Sequence, residues 1–126
     1  MAHSAGQSAE KDAAPVDMAQ LSSAIGDDPR ERAEVLEILM NEMATNLERL
    51  EAAIALHDAE TVDVIARNCA GTSVSCGMVT IVDPFREIER LAREHRLDDA
   101  EVLRRYISRE FARVQSFLQR NLKAVA

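Results

Sequence analysis

A chain of 126 residues with 22 acidic and 15 basic side chains has a formal net charge of −7. That balance argues against a nucleic-acid binder, which needs a basic footprint to displace counterions from phosphates, and equally against docking on an anionic membrane surface. Hydrophobic residues make up 47%, yet aromatics are only 3%, there is no Trp, and just four Gly and three Pro supply turns. This suits one domain of helices packed on helices rather than a β-sandwich.

The first sixteen residues are small and polar and read as a disordered tail, with no apolar stretch for a signal peptide. A short helix is expected from Asp17, its cap, through Met18, Leu21 and Ile25. Gly26-Asp27-Asp28-Pro29 ends it and starts the next, with Asp28 as N-cap and Pro29 at the first helical position. From there to about His57, Leu36, Met40, Met43, Leu47, Leu50 and Ile54 form one continuous apolar seam.

Asp58-Ala59-Glu60 makes a tight connection to an antiparallel third helix running to about Cys76. Its expected buried face is Val62, Ile65, Cys69, Thr72 and Cys76; its outward face is Val64, Arg67, Gly71 and Val74. Gly77 then ends or kinks the helix. Asp83-Pro84 reads either as a fresh cap and first position or as a kink in a helix begun near Met78. Ile81, Phe85, Ile88 and Ala92 form the inner face of this fourth segment, which ends near His95. Asp98 or Asp99 is expected to cap the last helix, whose seam is Leu103, Ile107, Phe111, Val114 and Leu118.

The expectation is therefore all-α: an antiparallel four-helix bundle over residues 17–122 with a short additional N-terminal helix, a tail before it and residues 123–126 as the C-terminal end. No segment approaches the roughly 18 apolar residues needed to span a bilayer, so the cytoplasm is the expected location. Cys69 and Cys76, seven apart on one helix, should lie about 10 Å from each other, beyond the ~7 Å reach of a disulfide. They are expected to be buried apolar thiols.

Two features stand out between Ala66 and Gly77, ARNCAGTSVSCG. Gly71 interrupts a strong helical pattern at a cost of about 1 kcal/mol relative to Ala, and it lies one turn from Arg67 on the same outward face. Bare backbone there serves either the close approach of another protein or tight packing against a neighbouring helix, and spacing alone does not decide. Ala66, Gly71, Thr72, Ser73 and Gly77, followed by Ile81, Phe85, Ile88, Glu89 and Arg93, stand at the spacing of a known signature. Over roughly residues 17–122 the chain resembles the histidine phosphotransfer (HPt) domain family, and Gly26-Asp27-Asp28 resembles the family's lead-in to its long helix.

The departures fall on the chemistry. The resemblance puts Arg67 where the phosphoacceptor histidine belongs and Ala70 where a lysine usually helps hold the phosphoryl group. A neutral imidazole is a nucleophile near pH 7, whereas a guanidinium offers no lone pair for attack. Pro84 also replaces an apolar position. His57 and His95 are expected as ordinary residues at helix C-termini, away from the Arg67 surface, and His3 lies in the tail; three scattered histidines give no metal site. No catalytic residue, cofactor or metal is expected.

The resemblance implies a non-catalytic adaptor, a pseudo-HPt, that docks the receiver domain of a response regulator or a histidine kinase. The docking residues would be Val64, Arg67, Ala70, Gly71 and Val74, with Arg67 facing the acidic pocket that receivers of the family present. A monomer is expected. Two alternatives stay open: a working phosphotransfer protein with an unrecognised acceptor, and an interaction or dimerisation bundle using exposed Val64 and Val74. Two basic ridges, Arg86-Arg90-Arg93 and Arg105-Arg109-Arg113, read first as solvated helix faces and secondarily as a partner footprint.

Overall fold

The computed structural model describes residues 14–125, so the tail up to residue 13, with His3, lies outside the described residues. Among them are five helices and no strand: α1 (Met18–Ile25), α2 (Pro29–Ala55), α3 (Ala59–Ser75), α4 (Val82–Arg93) and α5 (Leu97–Val125). They form a helical bundle. None is long and apolar enough to cross a membrane.

Three helix starts follow directly from aspartates that accept backbone N–H groups left without partners in the first turn. Asp17 accepts from Ala19 and Gln20, Asp28 from Arg30 and Glu31 with Pro29 at the first position, and Asp58 from Thr61. Asp58 also accepts the Thr61 hydroxyl at 2.6 Å, which holds its carboxyl below the usual range.

The last two starts differ from expectation. Helix α4 begins at Val82 behind Ile81, with no side-chain cap. Asp83 and Pro84 sit inside its first turn, where the missing N–H of a proline costs no helical hydrogen bond. Met78 and Ile81, both fully buried, draw this stretch into the core and fix the start two residues before Pro84. Helix α5 begins at buried Leu97, so Asp98 and Asp99 lie in its first turn and complement the dipole rather than cap it.

Three helices end in the same way. At the ends of α2, α3 and α4 the chain turns through a left-handed residue: His57 (φ 56°), Gly77 (φ 71°) and His95 (φ 57°). In each, the left-handed N–H and the next one donate back to carbonyls of the last turn, as in Asp58 to Ala53 at 2.9 Å and Arg96 to Leu91 at 2.9 Å. Histidine tolerates that backbone less well than glycine. His95→Gly should therefore raise stability by about 0.5–1 kcal/mol, after the extra entropy that glycine brings to the unfolded chain. Thermal melts of the two proteins would check it, and a lower melting temperature for the variant would contradict it.

Met43 and Leu50 from α2, Val62 and Cys69 from α3, Phe85 and Ile88 from α4, and Ile107 and Val114 from α5 meet in one core. The seam of α2 is buried at Leu36, Met43, Leu47, Leu50 and Ile54, with Met40 partly so. The buried arc of α3 is wider than expected and rotated: Ala66, Ala70 and Ser73 join Val62, Ile65, Cys69 and Cys76, while Thr72 is half-exposed.

Val16, assigned to the tail by composition, is 3% exposed and belongs to the core. It precedes an anchor: the Asp17 N–H donates to the Gly77 carbonyl at 2.7 Å, and the Gln20 side-chain amide donates to the Ser75 carbonyl at 3.1 Å. These bonds fasten α1 to the end of α3.

Candidate functional site

Arg67 projects from the exposed stripe of α3, its side chain 57% exposed, but it is not a solitary cation. Its Nη2 donates to Asp63, one turn earlier, at 2.9 Å, and its Nε donates to Glu89 of α4 at 3.3 Å. Arg93 closes the set: Nη2 donates to the same Glu89 oxygen at 2.7 Å, and Nε lies 3.6 Å from Asp63 Oδ1. That Asp63 oxygen is shielded from solvent and accepts no hydrogen bond.

The vertical order of this ring matters. Both arginine side chains are more than half exposed, whereas the Glu89 and Asp63 side chains are only 13% and 19% exposed. The carboxylates lie beneath, the arginines above. A neutral set of four charges thus presents a cationic outer layer, and two cross-helix pairs hold it in one geometry.

Gly71 resolves the choice left open by spacing. A Cβ built on it would meet nothing within 4 Å, so no neighbouring helix requires the missing side chain. The backbone is bare toward solvent. Val64 and Val74 flank it, 46% and 44% exposed, as the outward face requires. Ala70 does not belong to this surface: it is 4% exposed and packs into the core, because the buried arc of α3 extends to that side. A lysine at position 70 would have to leave from beneath the stripe.

His57 and His95 are not scattered. The two left-handed turns bring them to one crevice of about 500 Å³, whose walls also include Arg96, Leu97, Asp98 and Asp99. Arg67 is not among its lining residues. Among the described residues no group of three or more His, Cys, Asp or Glu is placed to hold a metal ion. Both thiols are free and buried; desolvation pushes Cys69 up to about 11 and raises Cys76, which suppresses the reactive thiolate.

Sequence reasoning missed Asp63 altogether, placed Glu89 only as a motif position, and placed Arg93 as a motif position and a member of a basic ridge. A local signal existed, since Asp63–Arg67 and Glu89–Arg93 are both four apart. Their union across two helices had none. The chain matches no protein-family model, no curated protein and no solved structure.

Proposed function

We propose that this chain is a non-catalytic, HPt-like adaptor: an antiparallel four-helix bundle with a short N-terminal helix, monomeric and cytoplasmic, that docks a receiver domain or a histidine kinase without carrying phosphate. The observation that carries this reading is the open space over Gly71, one turn from Arg67. A glycine in a helix interior costs stability, and among the described residues no neighbour packs against the bare backbone to offset that cost. A partner whose backbone or carboxylate approaches the α3 stripe does. Arg67 stands where the resemblance puts the phosphoacceptor, and its guanidinium is no nucleophile, so the surface suits recognition rather than transfer. The outward guanidinium layer gives this face a positive potential that suits the acidic pocket the family's receivers present.

The test uses purified receiver domains and histidine kinases, measured for binding to the full chain, together with labelled phosphate supplied by a phosphorylated partner. Binding without label on the chain is expected. Label on His57 or His95, or no binding to any member of the set, would overturn the reading.

Gly71→Ala separates function from stability. It should stabilise the free protein by about 0.5–1 kcal/mol, because alanine fits the helix and meets no neighbour. It should also weaken docking, since the new methyl group stands in the approach path. A variant that is both more stable and equally tight in binding would remove the role given to the bare stripe.

A further inference from the structure

The charges already paired on this face leave one question, namely which cation meets the partner. Arg67 and Arg93 each share Asp63 and Glu89. Any carboxylate that approaches them competes with two recessed partners held in place by the fold. Arg86 differs. It lies seven residues before Arg93, two turns along nearly the same azimuth of α4. It is exposed, and among the described residues no carboxylate pairs with it.

The cross-helix pairs fix its height. Arg67 pairs with Glu89, and Asp63 with Arg93, so a step of four up α3 matches a step of four back along α4. The next step places Gly71 level with Phe85, and therefore with Arg86 beside it. Phe85 is fully buried, leaving Arg86 as the exposed side chain at that height. The uncompensated cation and the bare backbone thus stand at one level of the α3–α4 face.

We propose that Arg86 is the specificity-determining cation of this surface, selecting a partner that brings a carboxylate over Gly71, while Arg67 and Arg93 form the pre-paired layer beside it. The proposal rests on the docking reading above and takes a receiver domain, with its acidic pocket, as the occupant. Desolvating an unpaired guanidinium against a carboxylate makes a new charge-assisted bond without breaking an old one. A charge of this kind acts on association rate and on salt dependence. Arg90, one turn along the same ridge and only about 40° round the helix from Arg86, is already held between Glu87 and Glu94 and serves as the paired control.

The experiment measures association and dissociation of each purified receiver domain with wild type, Arg86→Glu, Arg86→Lys and Arg90→Glu at low and moderate salt. Expected are a loss of about tenfold or more for Arg86→Glu, carried mainly by association and reduced by salt, near-wild-type binding for Arg86→Lys, and less than about a twofold change for Arg90→Glu. Unchanged circular dichroism and melting would show that Arg86→Glu leaves the fold intact. If receivers bind but Arg86→Glu is neutral, or Arg90→Glu costs as much, the assignment of Arg86 falls while the docking reading stands. If no receiver binds wild type, both fall.

Discussion

Replacing Gly77 by alanine should destabilise the protein by roughly 2–4 kcal/mol and release α1 from the bundle. Two independent effects act in the same direction. Gly77 holds φ 71°, where an L-residue is strained by about 1–2 kcal/mol. A Cβ at this position would also stand 2.6 Å from the Asp17 carbonyl oxygen and 3.1 Å from the Gln20 Cβ. The first is a backbone atom, so the clash cannot be relieved by turning a side chain. It is relieved only by moving residue 17, whose N–H donates to the Gly77 carbonyl at 2.7 Å. That bond, the Asp17 cap on α1 and the seat of buried Val16 and Leu21 would loosen together. Denaturant unfolding would read the loss of stability, and hydrogen exchange across Met18–Ile25 would read the release of α1. The same substitution six residues earlier, at Gly71, is expected to change stability with the opposite sign. A Gly77→Ala protein as stable as wild type, with α1 still protected, would contradict the packing described for this turn.

This contrast marks what the sequence could convey. Helical periodicity and three aspartate caps placed α1, α2 and α3 within a residue or two, because the signals are local: a side-chain oxygen meets an N–H two or three residues away. The starts of α4 and α5 were displaced because tertiary burial decided them. Met78, Ile81 and Leu97 enter the core, and the helices begin where that burial requires rather than at the nearest aspartate. The outward stripe of α3 was legible at Val64, Arg67, Gly71 and Val74, since it needs only the helical period. Its edge was not: Ala70 is as small as any surface alanine, and only tertiary packing makes it a core residue. The carboxylates under Arg67 were hidden for the same reason. Glu89 lies 22 residues away, and its approach depends on how α3 and α4 pack.

Those carboxylates make charge reversal at position 67 the most damaging change expected for docking. In Arg67→Glu three acids, Asp63, Glu89 and the new side chain, would share one cation, Arg93. The outer layer of the face would turn from cationic to anionic, and a receiver's acidic pocket would meet like charge across the stripe. A residue at the centre of an interface commonly contributes roughly 2 kcal/mol or more when removed, and repulsion adds to that loss. Affinity should therefore fall by at least about 30-fold, since about 1.4 kcal/mol corresponds to tenfold. Stability should change far less, because the arginine it replaces is 57% exposed and water screens the crowded acids. Arg67→Ala is expected to fall between wild type and the reversal, as it leaves Arg93 to neutralise part of the pair. Titration calorimetry against the receiver that binds wild type, alongside a thermal melt of each variant, separates the two quantities. If affinity follows the melting temperature instead of the charge at position 67, the side chain is only a brace between α3 and α4, and the stripe is not the docking face.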